Sequence, residues 1–177
     1  KIHLLSQNKR VLNCFSYSGG FSVYAAAGGA TAVDSVDISE KAIALVKRNM
    51  ELNGYSGGYF AADVFQFLRE HPLNYDVVIL DPPAFAKKQK DIIQGCRGYK
   101  DINRVALQKM PPRSFLVTSS CSYFVDEPLF QKVVFQAAVE ANRKVRIIGR
   151  HRMAEDHPVN ICHPESDYLK SLVLFVE

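Results

Sequence analysis

Val11-Leu12-Asn13-Cys14-Phe15-Ser16-Tyr17-Ser18-Gly19-Gly20-Phe21 decides how the rest of this 177-residue chain is read. Residues 11–15 are a short apolar run with the composition of a buried strand. Residues 16–20 form a small loop ending in two glycines, and residues 21–27 read as a helix. A strand that enters a helix through a glycine-rich turn is the first half of a βαβ unit. Residues 31–38 supply the next strand. Ser39 is suited to cap a helix over 40–53, where Ala42, Ile43, Val46 and Met50 recur at helical spacing and Asn53-Gly54 ends the run.

The alternation continues along the chain. Residues 59–62 and 75–81 read as strands around a helix at 63–71. A polar stretch at 84–100 interrupts the rhythm. Helix 101–110, strand 114–119 and helix 127–141 follow. Residues 144–148 and 169–176 are two final strands with no helix between them, which predicts an antiparallel pair. The pattern implies an α/β, Rossmann-like fold: a mostly parallel seven-stranded sheet, helices on both faces, and an antiparallel last strand.

Hydrophobic residues make up 47% and charged residues 23%, so the chain reads as one globular domain with a full core. The first residue is Lys1 rather than Met, and a strand begins within about ten residues. The domain over 1–177 is therefore expected to be part of a longer protein. No signal peptide or apolar stretch of membrane-spanning length is visible, and a cytoplasmic location is expected. The four cysteines, Cys14, Cys96, Cys121 and Cys162, form no CxxC pair, which disfavours a zinc site or a disulfide framework. The net charge of +4 is compatible with a polyanionic partner but does not require one.

Three positions on consecutive strand ends suggest a nucleoside pocket. The Gly19-Gly20 turn lets backbone approach a ligand at a helix N-terminus. It is not GxGxxG, which argues against a nicotinamide dinucleotide. Asp37 ends the second strand, where a carboxylate can accept from both ribose hydroxyls. Asp63 ends the third strand and can take an exocyclic adenine amine, with Val64 and Phe65 flanking the ring. Asp63 could equally be a helix cap; Asp37 could cap the following helix, a role for which Ser39 competes. There is no phosphate-cradling lysine loop, so S-adenosylmethionine fits better than ATP or NAD.

Reactive residues follow the next two strands. Asp81-Pro82-Pro83 ends strand 75–81, and Thr118-Ser119-Ser120-Cys121-Ser122 ends strand 114–119. A thiol and a carboxylate on neighbouring strand ends can attack and hold a pyrimidine ring. A free cysteine titrates at about 8.5, and a nucleophilic one is expected to titrate lower. The alternative for Cys121 is a small buried core residue.

These segments resemble one family. Residues 13–21, Asp81-Pro82-Pro83-Ala84-Phe85, Gly95-Cys96-Arg97-Gly98-Tyr99-Lys100-Asp101-Ile102-Asn103, Ser119-Ser120-Cys121-Ser122 and Asp156-His157-Pro158 are similar to the bacterial 23S ribosomal RNA cytosine-C5 methyltransferases. These are class I enzymes that use S-adenosylmethionine. The resemblance implies that Cys121 attacks C6 and that Asp81 holds the cytosine edge. It implies cofactor contacts from Phe15, Ser16, Tyr17, Ser18, Gly19, Gly20, Phe21, Asp37, Ile38, Asp63, Val64, Asp81 and Pro82. Contacts to ribosomal RNA are expected from Pro83, Phe85, Lys88, Arg97, Tyr99 and Lys100, and no metal is expected. It also implies an N-terminal RNA-binding PUA domain and a connecting segment outside these residues. One position, Ala84, departs from two related patterns. Many RNA cytosine-C5 enzymes carry a second cysteine where Ala84 stands, and amino-methylating enzymes carry an aromatic residue there. Guanine-N7 methylation and a catalytically idle nucleoside- or RNA-binding module remain as alternatives.

Overall fold

A computed structural model describes residues 1–153 and 157–177. Its strands are Arg10–Cys14 (β1), Ala32–Asp37 (β2), Gly58–Ala61 (β3), Val77–Leu80 (β4), Ser114–Ser120 (β5), Val145–His151 (β6) and Lys170–Val176 (β7). They form one seven-stranded sheet in the order β3-β2-β1-β4-β5-β7-β6. The β1 to β5 pairings are parallel, and β7 runs antiparallel to both β5 and β6. The helices are Ile2–Leu5 (α1), Gly20–Ala27 (α2), Glu40–Leu52 (α3), Val64–Glu70 (α4), Ile92–Lys109 (α5) and Glu127–Glu140 (α6).

Both faces of the central strands are covered, which explains why they read as continuous apolar runs. Successive side chains point to opposite faces. Leu12, Val78, Leu80 and Leu116 join one core cluster with Leu68, Ile102 and Phe130 from α4, α5 and α6. Val11, Val77, Ile79 and Val117 join the other, with Ala25, Val46 and Met50 from α2 and α3. The chain moves outward from β1 through β2 to β3, then returns to place β4 on the other side of β1. That reversal opens a crevice at the carboxyl ends of β1 and β4, where open α/β sheets bind ligands.

Three helix starts carry side-chain caps, two of them, Ser39 and Asp63, among the readings of the sequence. Ser39 Oγ accepts from the Ala42 amide at 3.3 Å, Asp63 Oδ1 from Gln66 at 2.9 Å, and Asp126 Oδ1 from Leu129 at 2.8 Å.

Three elements differ from the sequence expectation. Helix α5 starts at Ile92, inside the stretch read as a polar interruption. Gly95 and Gly98 suggest a loop, since each costs a helix about 1 kcal/mol relative to alanine. Tertiary packing outweighs this, because Tyr99, Ile102 and Ala106 are fully buried on the same helix and each large apolar side chain contributes about 1.5–3 kcal/mol. The glycines serve contact instead. A Cβ on Gly95 would lie 2.9 Å from Ala86 Cβ, and one on Gly98 would lie 3.0 Å from the Phe85 ring. Strand β6 reaches His151, three residues beyond its expected end, with a register shift between Ile147 and Gly149. Helix α1 is too short to leave a periodic signal.

Candidate active site

The turn after β1 is conformationally unusual. Phe15 and Tyr17 have φ of 58° and 46°, and Gly19 has 83°. Non-glycine residues there cost of order 1–3 kcal/mol and cluster at functional sites. Hydrogen bonds hold the turn in place. Ser16 N donates to Val36 O at 3.1 Å, Tyr17 N to Asp37 Oδ2 at 3.0 Å, and Asn49 Nδ2 to Ser18 O at 2.8 Å. Gly19 is needed for packing as well as for φ, since a Cβ would lie 2.8 Å from Val46 Cγ1. At Gly20 a Cβ would meet nothing within 4 Å.

A cavity of about 720 Å³ opens from this turn. Phe15, Tyr17, Asp37, Ile38, Asp63, Val64, Asp81 and Pro82 of the expected cofactor set line it. Ser16, Ser18, Gly19, Gly20 and Phe21 are not in its wall; Phe21 borders an adjoining cavity of about 510 Å³ that also touches Asp81 and Ser119. Asp37 accepts one backbone N–H on each oxygen, from Tyr17 and from Ser39 at 2.9 Å. Each carboxylate oxygen has a second acceptor position. Ser39 takes the capping role on α3, so Asp37 remains available to a ligand. Asp63 caps α4 and lines the cavity at once, so its two readings are compatible.

Cys121 and Pro83 line the same cavity. The thiol is half-buried and donates to Pro82 O at 3.5 Å. Burial raises its pKa, and the Asp81 carboxylate raises it further; its own backbone amide and Lys170 act in the opposite sense. The expectation of a lowered thiol pKa is thus overturned, because the sulfur is partly desolvated beside an acidic side chain. Burial also raises the pKa of Asp81, against an opposing effect of the Ser119 hydroxyl.

Ser122 ties this site to three elements. Its buried hydroxyl accepts from Ala86 N at 3.0 Å and shares a 2.8 Å bond with Tyr99 Oη. Phe85 N reaches the same Tyr99 oxygen at 3.4 Å. The Ser122 carbonyl accepts from Lys170 Nζ at 2.5 Å. The segment carrying Cys121 is therefore fixed to the turn after Asp81, to α5 and to β7.

The expected RNA contacts divide into groups. Lys88 and Arg97 are exposed. Lys100 pairs with Glu140 at 2.7 Å, away from the cavity. Phe85 packs against Phe15, Phe65 and Tyr99, with ring centroids 6.4, 5.9 and 4.7 Å apart. Tyr99 is fully buried, so it does not offer a ring to RNA as expected; it supports the turn instead. His157 and Met153 line the cavity, and Asp156 lies outside the described residues. Sequence reasoning misses Tyr168, Leu169 and Lys170. The available signal is a lysine opening the apolar strand 171–176. Among the described residues no cluster of three or more His, Cys, Asp or Glu could hold a metal. No helix among them is long and apolar enough to cross a membrane.

The sequence pattern of the S-adenosylmethionine-dependent methyltransferases matches residues 3–122. The chain belongs to this family. Among similar curated proteins are two called ribosomal RNA large subunit methyltransferase I. The one from Photobacterium profundum is 46% identical over 175 residues, covering 96% of this methyltransferase chain and 44% of the relative. The one from Aeromonas salmonicida is 45% identical, covering 94% and 43%. The chain thus spans less than half the length of these relatives. The crystal structure of SMU.776, a methyltransferase complexed with SAH, superposes with a TM-score of 0.82 at 28% identity, over 98% of this chain and 47% of that one. A SAM-dependent methyltransferase from Streptococcus mutans gives 0.82 at 27% identity, over 98% and 46%. S-adenosylmethionine is the cofactor of this family, and the cavity suits it. Asp37 retains acceptor capacity for a ribose diol, while Ile38, Val64 and Phe65 supply apolar walls for an adenine ring.

Proposed function

We propose that this domain methylates C5 of a cytosine in large-subunit ribosomal RNA through a covalent bond between Cys121 and C6. The observation that carries the reading is the position of Cys121. Cys121 is half-buried and lines the cavity that Asp37, Asp63 and Asp81 also line, rather than being sealed in the core. Guanine-N7 methylation would need no thiol there, because N7 is already nucleophilic. The relatives' names support ribosomal RNA as the substrate class, and a cytoplasmic location fits that substrate.

When bound, S-adenosylmethionine supplies an electrophilic methyl group. The chain's own residues prepare the base to receive it. The Cys121 thiol first loses its proton to solvent; the thiolate sulfur then bonds to C6, the C5–C6 π pair moves to C5, and that carbon becomes nucleophilic. Asp81 holds the cytosine edge. Burial raises its pKa; the carboxyl can accept from the N4 amine or, carrying a proton, give it to N3 as addition sends negative charge into the ring and take it back when the sulfur leaves. Neutralising Asp81 also removes one of the two causes that hold the thiol pKa up. After methylation, C5 loses its proton and the C6–sulfur bond breaks, with the electron pair returning to sulfur. Ala84 offers no thiol to take that proton, so the base is another group or water. The exposed Lys87, Lys88 and Lys90, next to the Asp81 turn, supply positive charge for phosphates.

The test is product analysis with Cys121→Ala. The parent should place the methyl group on C5 of cytosine. The variant should still bind S-adenosylmethionine but form no methylated base. Methylation that survives in the variant, or that falls on guanine, would refute the proposal.

A further inference from the structure

Lys170 is a cation in an unusual place. It opens β7, faces Ser120 across the β5–β7 pairing, and is only 6% exposed. Lysine is almost never this buried unless it is paired. Its close partner here is a neutral one, the Ser122 carbonyl at 2.5 Å. Asp126 and Asp167 attract it from a distance, but each is engaged elsewhere: Asp126 caps α6, and Asp167 pairs with Arg152 at 3.5 Å. Lys170 therefore lies cross-strand from the residue before Cys121 and bonded to the residue after it.

We propose that the Lys170 ammonium, held by the Ser122 carbonyl, is the cationic partner of the Cys121 thiolate. It is a positioning residue that acts through the sulfur, and the proposal rests on the reading of Cys121 as the nucleophile. A cation fixed on the carbonyl of the next residue before substrate arrives offsets the burial and the Asp81 charge that oppose ionisation. The facing groups have opposite effects. Asp81 disfavours the thiolate, whereas Asp126 and Asp167 favour the charged lysine against burial, which is the larger effect and lowers its pKa. The lysine is also disfavoured by burial and favoured by Cys121, so each partner promotes the charge of the other.

The experiment is alkylation of the folded protein by iodoacetamide across a pH series, with Cys121 occupancy read by peptide mass spectrometry. Mapping separates it from Cys96 and Cys162. No RNA or cofactor is needed, so failure here would leave the C6 adduct untouched, and failure of the adduct would leave this result standing. Lys170→Met should move the Cys121 midpoint to higher pH. For a shift of one unit, about a tenth of the thiolate remains at neutral pH. The more basic sulfur is roughly threefold more nucleophilic, leaving a net loss of about three- to fourfold. Above the new midpoint the variant should be the faster of the two, so the profiles cross. Profiles that coincide, or a variant that is faster at every pH, would overturn the proposal. If Lys170→Met does not fold, the titration of Lys170 is followed by carbon NMR in the parent and in Cys121→Ser. Its midpoint should fall when the sulfur is replaced, and an unchanged midpoint would overturn the pairing.

Discussion

Replacing Ser122 by alanine should damage stability and chemistry together. The hydroxyl is fully buried and satisfies two groups at once, the Ala86 amide at 3.0 Å and Tyr99 Oη at 2.8 Å. Ser122→Ala leaves the buried Ala86 amide without its partner. An orphaned buried donor costs about 1–3 kcal/mol, and a lost neutral hydrogen bond about 1 kcal/mol. Tyr99 Oη keeps its 3.4 Å contact from Phe85 N, so its loss is partial. The sum is about 2–4 kcal/mol, a large share of the 5–15 kcal/mol typical of a folded domain. Urea unfolding measures it, as a lower midpoint with an unchanged slope. Ser122 touches no part of the proposed cofactor wall, so S-adenosylmethionine affinity should hold while the methylation rate falls. A double-mutant cycle with Tyr99→Phe should give coupling, since the two hydroxyls share one bond. A stability loss below about 0.5 kcal/mol, the ordinary range of a surface substitution, would refute the role given to Ser122.

Further consequences concern the cofactor wall, the acidic residue and the glycines. Asp37→Ala should weaken S-adenosylmethionine binding at least tenfold by calorimetry, because hydrogen bonds to a charged acceptor contribute about 1.5–3 kcal/mol. Asp81→Asn should stabilise the protein at neutral pH. The folded pKa of Asp81 is raised, so the native state binds the proton more tightly than the unfolded chain, and wild-type stability falls as pH rises from the ordinary carboxylate value through the raised one. The advantage of Asn over Asp should therefore vanish in acid, where both forms of the wild type are protonated; unfolding curves across pH check this. Gly95→Ala should lower the melting temperature despite the better helix propensity of alanine. Its Cβ would lie within 3.0 Å of Ala86 N and Phe85 C, both backbone atoms with little freedom to move.

Strand and helix order was readable because burial on both sheet faces writes uninterrupted apolar runs, as at 77–80, and because Ser39 and Asp63 mark helix starts with their own side chains. The start of α5 was not readable. Gly95 and Gly98 carry a loop-like local signal, and their actual cause is contact with Phe85 and Ala86, which are close only after folding. The site shows the same division. Asp37, Asp63, Asp81 and Cys121 follow strands, so the topology brings them to one crevice. Tyr99 looks like an RNA-stacking aromatic in a basic stretch, yet the helix turns it inward onto Ser122. Lys170 lies 49 positions beyond Cys121 in sequence and reaches its neighbourhood only through the antiparallel β5–β7 pairing. The direction of the thiol pKa shift was not readable either, because it depends on burial and on the distance to Asp81.

The decisive measurement replaces hydrogen with fluorine at C5 of the target cytosines. Fluorine cannot leave as a proton does, so a base attacked at C6 and methylated at C5 stays attached to the protein. Incubated with S-adenosylmethionine and 5-fluorocytosine-containing ribosomal RNA, this protein should yield a stable cross-link. Its peptide should map to the sulfur of Cys121, and Cys121→Ser should abolish it. A methylated product released with no cross-link, or a cross-link on another residue, would contradict the account.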